Sequence, residues 1–367
     1  MKEKLGDIFE IGSGGTPPKS HPEYYGGNIP WIKTGDLKSE YLYMAEDYIT
    51  EEGLNNSSAK IYEKGTVLLA MYGATIGATS ILKIEACTNQ ACAAFKKNDR
   101  VIPEYLYYFL KSQKEKFVKD GVGGAQPNIS AGYLKKVEME IPPFEVQRSI
   151  VNTLDKTVSI ANKRNKELNA LDDLIKARFV EMFGDPVQND KDWETDTVEK
   201  ICKEIYGGGT PSKSHSEYYE NGDIPWVSPK DMKTDTLTDS QIKINKTGVE
   251  NSTVRMVPAN SVIMVIRSGI LKHTLPVAIN TVPITVNQDL KVFIPNERIL
   301  TRFLAIQFKM HEKDILSGVR AVTADNIEFD SLKRRRLIIP PINLQREYCV
   351  YLDQVDKLKY VAIQAAV

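Results

Sequence analysis

GGTPPKSHPEYY, residues 14–25, recurs as GGTPSKSHSEYY at residues 208–219, with ten of the twelve positions identical. A glycine pair followed by Lys-Ser is similar to a phosphate-binding loop, in which glycine N–H groups wrap a phosphate. That loop needs glycine directly before the lysine, but Pro18 and Ser212 stand there, and proline has no N–H to donate. The stretch therefore predicts a Gly-rich turn, and its recurrence predicts two copies of one module.

The repeat extends over nearly the whole chain. Matching segments keep a sequence offset that drifts only from 194 to 198 residues. They pair 28–31 with 223–226, 36–38 with 231–233, 64–69 with 259–264, 89–90 with 287–288, 128–129 with 326–327, and 141–148 with 339–346. A period this long indicates one duplicated globular unit instead of a solenoid of short repeats.

Each copy is predicted to mix strands with helices. Stretches of β-branched and apolar residues bounded by Gly or Asn indicate strands, and amphipathic stretches indicate helices. We expect strands at 66–71 and 261–266, helices at 104–116 and 300–313, and a last strand at 134–141 and 332–339. The predicted fold class of each copy is therefore α+β.

A long helix is predicted between the two copies. Residues 144–183 contain no Pro or Gly, and apolar side chains recur every seven positions at Leu154, Ala161, Leu168, Ile175 and Met182. This heptad pattern predicts packing on another helix, over a length of about 60 Å at ~1.5 Å per residue. The antiparallel partner is expected in the shorter C-terminal helix, with Tyr351, Val355 and Leu358 in its seam.

These patterns divide the chain into four parts. Two similar globular domains, 1–143 and 184–341, are joined by the central helix 144–183 and the short C-terminal helix 342–367. The two helices are expected to form an antiparallel coiled coil, which gives the duplicated chain a pseudo-two-fold arrangement.

The composition indicates an ordinary soluble protein. The chain has 48 basic and 48 acidic side chains, whereas a lone, tight nucleic-acid binder usually shows a basic excess. Its four cysteines have neither a CxxC pair nor zinc-ligand spacing, so we expect free thiols and no metal site. No apolar run reaches the roughly 18 residues of a membrane span, and the N-terminus lacks the apolar core of a signal peptide. We expect a cytoplasmic protein.

The order of these features resembles the specificity subunit of type I restriction–modification systems. The likeness rests on the paired Gly-Gly-Thr-Pro loops with their Ile-Pro-Trp sequels, on the Ile-Pro-Pro…Gln-Arg entry to each helix, and on ARFVEMFGDP at 177–186. The resemblance implies that each globular domain is a target recognition domain for one half of a bipartite, asymmetric site in double-stranded DNA. It also implies that the helices set the spacer and dock two adenine methyltransferase (modification) subunits, which restriction subunits join.

The resemblance further implies a subunit without catalytic residues, and the sequence supports this independently. An adenine-N6 methyltransferase needs [N/D]-P-P-[Y/F], but Ile141 and Ile339 occupy the polar position. No G-x-G-x-x-G follows a predicted strand and no Walker A motif is present, so S-adenosylmethionine, ATP and magnesium are expected in partner subunits. Two alternatives stay open: a duplicated non-catalytic scaffold not specific for DNA and, because the C-terminal helix is short, a truncated or homodimerising variant.

The predicted DNA contacts lie on loops, preferably where the two copies differ, because each domain would read a different half-site. Basic side chains suit phosphates and guanine, while amide and hydroxyl groups suit base edges. The candidates of the first domain are Lys33, Thr34, Lys38, Tyr72, Thr75, Gln126 and Asn128. Those of the second are Ser228, Lys230, Lys233, Arg267, Ser268, Lys272, His273 and Arg320. For Gln126 and Asn128, capping of a turn is an equal alternative.

Overall fold

The computed structural model describes residues 2–121, 128–321 and 325–364, and the chain divides into two compact units, Met1–Ala161 and Asn162–Val367. The division falls inside the long central helix, so each unit carries part of that helix. Both units are α+β and are built alike, which confirms the predicted duplication.

The first unit combines short strands with helices. Its strands are β1 (Lys2–Lys4), β2 (Ile11–Ser13), β3 (Tyr25–Ile32), β4 (Tyr41–Leu42), β5 (Asp47–Ile49), β6 (Ile61–Tyr62), β7 (Val67–Ala70), β8 (Thr79–Leu82), β9 (Ala86–Thr88), β10 (Cys92–Phe95) and β11 (Glu138–Glu140). Its helices are α1 (Leu5–Ile8), α2 (Glu51–Asn55), α3 (Pro103–Ser112), α4 (Lys114–Asp120), α5 (Ala131–Lys136) and the first part of α6 (Phe144–Phe183).

Two sheets form the body of the first unit, in the orders β2-β10-β7-β8-β4 and β5-β3-β9-β6. Neighbouring strands are antiparallel except in the pairs β4–β8 and β3–β9. Strands β7, β8 and β10 are buried along their whole length, including the polar Thr79 and Ser80 of β8. Helix α3 packs across β7 and β8, so that Leu106 and Leu110 share a core with Val67 and Leu69.

The second unit repeats this architecture. Its strands are β12 (Thr195–Thr197), β13 (Cys202–Gly207), β14 (Ile224–Val227), β15 (Thr236–Leu237), β16 (Lys243–Ile244), β17 (Val262–Val265), β18 (Val277–Asn280), β19 (Thr285–Val286), β20 (Leu290–Pro295), β21 (Arg320–Ala321), β22 (Asp325–Asn326) and β23 (Arg336–Ile338). Its helices are the rest of α6, α7 (Val198–Ile201), α8 (Lys246–Glu250), α9 (Thr301–Met310), α10 (Glu312–Ser317), α11 (Phe329–Arg334) and α12 (Ile342–Gln364). The sheet orders β13-β20-β17-β18-β15 and β16-β14-β19 match the first unit apart from β6, including both parallel pairs.

The predicted last strand of each copy is present, but it is shorter and begins later than predicted. Helices α5 and α11 take the first three predicted positions, 134–136 and 332–334, and β11 and β23 follow them. Leu134 and Leu332 are the buried residues of these helices, and the Ser130 hydroxyl caps α5. Lys333 and Arg334 therefore close α11, where positive charge faces the carbonyl end of the helix, instead of alternating along a strand.

Helix α6 has the predicted bounds, and within the second unit α12 runs antiparallel to it. The Tyr348 hydroxyl donates to the carbonyl of Ile175 (2.9 Å). Lys359, later in α12, pairs with Asp172, earlier in α6. The reversed order of these contacts fixes the antiparallel direction.

The predicted helix seam is shifted by one position near the end of α12. Four apolar residues of α12 are buried: Tyr348, Leu352, Val355 and Ala362. They follow the alternating 4/3 spacing of a heptad, in which position 359 is the one place without an apolar residue. Leu358, predicted for the seam, is 56% exposed, and Lys359 takes the heptad position with a side chain only 19% exposed. Because the Lys359 ammonium pairs with Asp172, its aliphatic stem can lie in the seam.

The remaining seam residues differ in how far they are covered. Partly buried are Leu154, Leu168, Ile175, Met182 and Tyr351. Ile175, Met182 and Tyr351 pack against the core of the second unit, whereas Ala161 is exposed.

His311 interrupts the predicted helix 300–313 and separates α9 from α10, as Gln113 separates α3 from α4. The imidazole is buried, and this burial, with the positive charge of Arg335, lowers the pKa of His311 to about 4. The side chain is therefore neutral in the folded protein and takes up a proton when the chain unfolds below pH ~6.5.

Acidification from pH 7 to pH 5 is expected to destabilise the second unit by about 2 kcal/mol through this residue. Because the folded pKa of His311 lies below its unfolded value, the contribution is complete above about pH 6.5 and is lost as the pH falls toward 4. Urea denaturation at the two pH values measures the loss. The variant His311→Gln introduces the residue that the first unit has at the equivalent position, Gln113, and should remove this contribution to the pH dependence. An unaltered pH dependence in that variant would contradict the expectation.

Candidate nucleic-acid interface

Three backbone hydrogen bonds gather four segments of the first unit at one edge. The N–H of Asn89 donates to the carbonyl of Ile32 (2.9 Å), and the N–H of Met71 donates to that of Ala91 (2.8 Å). The N–H of Ile129 donates to the carbonyl of Met71 (3.0 Å). The ends of β3, β7 and β9 therefore meet the segment before α5, and we call this place the loop edge. The neighbouring residues at the loop edge are Lys33, Tyr72, Gln90 and Asn128.

The second unit forms its loop edge with the equivalent bonds. The N–H of Asn287 donates to the carbonyl of Val227, and the N–H of Ile266 donates to the carbonyl of Asp289. The N–H of Ile327 donates to the carbonyl of Ile266, and each of the three distances is 2.9 Å. The neighbouring residues are Ser228, Arg267, Gln288 and Asn326. The same backbone frame therefore carries different side chains at two of four places, since Lys33 corresponds to Ser228 and Tyr72 to Arg267.

The repeated Gly-Gly-Thr-Pro loop is fixed to the same strands. The N–H of Gly15 donates to the carbonyl of Thr88 (2.9 Å), and the Trp31 indole N–H donates to the carbonyl of Gly15 (3.0 Å). The same bonds recur in the second unit between Gly209 and Val286 (3.0 Å) and between Trp226 and Gly209 (3.0 Å). A β-carbon on Gly14 would lie 1.7 Å from the Thr88 carbonyl oxygen, so this approach requires glycine.

The loop after β7 presents predicted contacts of the first unit. Tyr72 is 43% exposed, and Thr75 holds the loop by donating to the Tyr72 carbonyl (3.2 Å). Asn128 is exposed and pairs antiparallel with Tyr72. Gln126 lies outside the described residues. The structure thus brings Tyr72, Thr75 and Asn128 together.

The loop after β3 carries the basic candidates of the first unit. Lys33 forms an ion pair with Asp47, and this hydrogen bond raises the pKa of the Lys33 ammonium. Lys38 is exposed and pairs with Glu46 (2.8 Å). Thr34 begins the intervening 3-10 turn. Both lysines are charged, and part of that charge is balanced by the two carboxylates at the start of β5.

In the second unit, the predicted residues after β17 form an exposed turn beside β22. The N–H of Ser268 donates to the carbonyl of Asp325 (3.1 Å). The Lys272 ammonium lies 3.8 Å from the Asp325 carboxylate. Arg267 and His273 are exposed at the two ends of the turn.

The remaining candidates of the second unit surround this turn. Ser228 follows β14, and its hydroxyl donates to Asp231 (2.8 Å). Lys230 and Lys233 are exposed along a groove of about 970 Å³ that Ser268 also lines. Arg320 lies in β21, which pairs with β22.

Lys291 is a candidate that the sequence analysis missed, and Lys333, in the basic run 333–336, lies on the same aromatic ring. Burial, together with the positive charges of Arg267 and Lys333, lowers the pKa of Lys291. Both ammonium groups lie over the ring of Phe329, at 4.4 and 5.2 Å from its centroid. The one sequence feature that pointed to Lys291 is its charge within the otherwise apolar β20. Three cations thus lie close together in the second unit, and such a cluster attracts a polyanion.

The described part of the chain has neither a membrane-spanning helix nor a metal-binding cluster. None of its helices combines the length and the apolar character needed to cross a membrane. Within the same residues, no group of three or more His, Cys, Asp or Glu side chains is arranged to hold a metal ion.

Comparison with known families and sequences gives matches along most of the chain. The family model described as type I restriction modification DNA specificity domain matches residues 1–170 and 190–365. The EcoR124I/EcoR124II specificity subunit of Escherichia coli is 32% identical over 364 residues, covering 91% of this chain and 88% of the relative. The MjaIX specificity subunit of Methanocaldococcus jannaschii is 29% identical over 364 residues, covering 92% and 82%.

Solved structures share the fold over the full length of the chain. A type I restriction–modification S subunit from M. genitalium superposes with a TM-score of 0.55 at 15% identity, covering 100% of this chain and 91% of that one. A chain from a study of complex assembly and conformational transition in a type I R-M system gives 0.59 at 16% identity, covering 100% and 93%. With the family model matched in both halves, the chain belongs to the type I restriction–modification DNA specificity family.

Proposed function

We propose that each unit reads one half of a bipartite, asymmetric site in double-stranded DNA. As a type I specificity subunit the chain recognises DNA and is not an enzyme, because catalysis in these systems belongs to other subunits. One observation carries the proposal: equivalent backbone hydrogen bonds present different side chains at the loop edges of the two units. A shared frame with two sets of side chains is what two different half-sites require.

The helices supply the second part of the proposal. We infer that α6 and α12 set the spacer between the half-sites and dock two adenine methyltransferase subunits, with restriction subunits joining this core. Exposed apolar side chains on α6, such as Val158, Ile160 and Leu174, support a role in binding partners. The partner subunits would bind S-adenosylmethionine, ATP and magnesium, and the complex would work in the cytoplasm.

A methylome tests the proposed function. The chain is co-expressed with its neighbouring methyltransferase in an unmethylated host, and N6-methyladenine is mapped by single-molecule sequencing. We expect a motif of two short half-sites around a fixed gap, absent when this chain is omitted. Unmethylated DNA despite a stable complex of the two proteins would instead favour a scaffold that is not specific for DNA.

Arg267 is the best single candidate for reading a base in the second unit. Its guanidinium lies 3.8 Å from the Asp289 carboxylate, too far for a close paired contact, and the side chain is exposed. It therefore keeps donors for the O6 and N7 atoms of guanine, a contact that discriminates by about 1–3 kcal/mol. In the methylome of Arg267→Ala we expect one position of one half-site to become degenerate.

The equivalent residue of the other unit provides the control for this prediction. Tyr72→Ala should alter only the other half-site, since Tyr72 has the place of Arg267 on the first loop edge. An unchanged motif in Arg267→Ala, or one altered in both halves, would contradict base reading by this arginine.

A further inference from the structure

The surface beside the repeated loop of the first unit is a cavity of about 680 Å³. Its lining has two ammonium groups and no carboxylate, and consists of Thr16, Lys19, Pro22, Tyr25, Trp31, Lys33 and Gln90. The aromatic groups have their polar atoms engaged, because the Trp31 indole donates to Gly15 and the Tyr25 hydroxyl donates to Pro17. The cavity therefore offers cationic and amide donors above an apolar wall, which suits an anion.

Lys19 and Gln90 are the donors that remain for a ligand. Lys19 is exposed, and it has no ion-pair partner among the described residues. The Thr16 hydroxyl donates to the side-chain carbonyl oxygen of Gln90, so the amide NH₂ of Gln90 is the group left to donate outward. Lys33, by contrast, is held by Asp47.

The second unit repeats this arrangement with identical residues. The Thr210 hydroxyl donates to the side-chain oxygen of Gln288, and Lys213 has the place of Lys19. Lys213 and Gln288 are both exposed. Two lining positions differ between the units, since Lys33 corresponds to the neutral Ser228 and Pro22 to Ser216.

Gln90 and Gln288 also lie inside the loop edges. In the first unit, Asn89 bonds to the residue before Lys33, and Ala91 bonds to the residue before Tyr72. Gln90 is therefore placed between two loops that are predicted to contact DNA. Its counterpart Gln288 has the same neighbours in the second unit, where Asn287 and Asp289 make the equivalent bonds.

A contact shared by two units that read different half-sites must involve a part of DNA common to all sequences, and that part is the phosphate backbone. We propose that Lys19 with Gln90, and Lys213 with Gln288, each bind a backbone phosphate next to the bases read by the same loop edge. This inference rests on the proposed function and extends it to residues outside the divergent loops. The N–H of Gly15 is already bonded to Thr88, so the phosphate is held by side chains and not by a backbone cradle.

Salt dependence of non-specific binding tests the phosphate contacts. The full chain is titrated onto a fluorescent random-sequence duplex of about 30 base pairs at 50–200 mM salt, where each phosphate contact contributes a slope of about 0.9 in log K against log[salt]. The double variant Lys19→Ala/Lys213→Ala should lower the slope by about 1.8, because it removes two phosphate contacts. If the plots of log K for the parent and the variant meet at 1 M salt, this difference is a loss of about 60-fold in affinity at 0.1 M salt. Lys19→Arg/Lys213→Arg should restore the slope.

The control removes the same charge elsewhere. Lys97 follows β10 and lies at the opposite end of that strand from Gln90. Lys203 lies early in β13, at the opposite end of that strand from the loop that begins at Gly208. Both lysines are exposed. Lys97→Ala/Lys203→Ala should keep nearly the full slope. An equal fall in slope in both double variants, or no fall in either, would overturn the proposal, as would a parent chain whose binding is independent of salt.

A second measurement separates phosphate contact from base reading. In the methylome assay, Lys19→Ala/Lys213→Ala should weaken methylation while leaving the recognised motif unchanged. A changed motif would overturn the phosphate assignment. Failure of the proposed function looks different, because the parent chain would then yield no bipartite motif, whereas binding to the random duplex depends on no half-site.

Discussion

Replacing Gln345 by Leu is expected to lower the free energy of unfolding of the second unit by about 3–5 kcal/mol. Gln345 is fully buried at the start of α12. Its side-chain oxygen accepts from the N–H of Leu300 (3.0 Å), and its amide donates to the carbonyls of Arg298 (3.0 Å) and Pro340 (2.8 Å). Leucine has a similar size but leaves three backbone groups without a partner, one of them buried and two partly buried. A buried group without a partner costs about 1–3 kcal/mol. Hydrogen exchange followed by mass spectrometry measures the loss for each unit separately.

Two matched variants make this expectation specific. Arg346→Ala changes the exposed neighbour and should cost less than about 0.5 kcal/mol. Gln147→Leu removes the same three bonds in the first unit, to Ile102, Arg100 and Pro142 (each 2.9 Å), and should destabilise that unit instead. A loss in Gln345→Leu no larger than that of Arg346→Ala would show that these bonds do not hold α12 to its unit.

These glutamines show where sequence reasoning stops. The recurring Ile-Pro-Pro…Gln-Arg pattern correctly locates the start of both helices, because the prolines end a strand and the following residues favour a helix. The bonds of Gln147 and Gln345 reach chain segments about 45 residues away, and no local pattern carries that information. The motif therefore identified a boundary but gave no indication of the contact that fixes it.

Helices and strands also differ in how far a local sequence pattern predicts them. The bounds of α6 follow from the absence of Pro and Gly in residues 144–183 and from Gly184, whose φ of 75° ends the helix. The last strand begins later than predicted because the short apolar pattern around Leu134 fits a helix as well as a strand. The seam of α12 was wrong at Leu358 because the buried face of Leu352 and Val355 continues through position 359, where Lys359 pairs with Asp172 across the helices.

For the candidate site, divergence between the copies correctly pointed to exposed loops. Tyr72 and Asn128 are more than fifty residues apart in sequence, yet the bonds of Met71 and Ile129 place them side by side. The selection favoured loops in which the copies differ, although a few shared residues, such as Lys38 and Asn128, were also chosen. Residues that both units need for the same contact are identical, so Lys19 was treated as part of a turn and Gln90 only as a match within the repeat.

An aromatic cluster at the end of α6 attaches α6 and α12 to the core of the second unit. Phe183 is fully buried, and its ring contacts four others, with centroids at 5.1 Å (Phe179), 6.2 Å (Trp193), 5.0 Å (Phe303) and 5.6 Å (Tyr348). These rings come from α6, α9, α12 and the segment after α6. One side chain therefore joins both long helices to the second unit.

Phe183→Ala is expected to destabilise the second unit by about 3–5 kcal/mol, because it removes a buried ring and leaves a cavity among side chains that cannot collapse fully. Urea denaturation and unit-resolved hydrogen exchange measure the effect. The Trp193 indole should keep its hydrogen bond to the backbone carbonyl of residue 183 (2.9 Å), so the loss reports packing and not a polar contact. Val180→Ala, one turn earlier and 47% exposed, should cost less than about 0.5 kcal/mol. Equal stabilities for the two variants would mean that the end of α6 is held to the second unit by something other than this cluster.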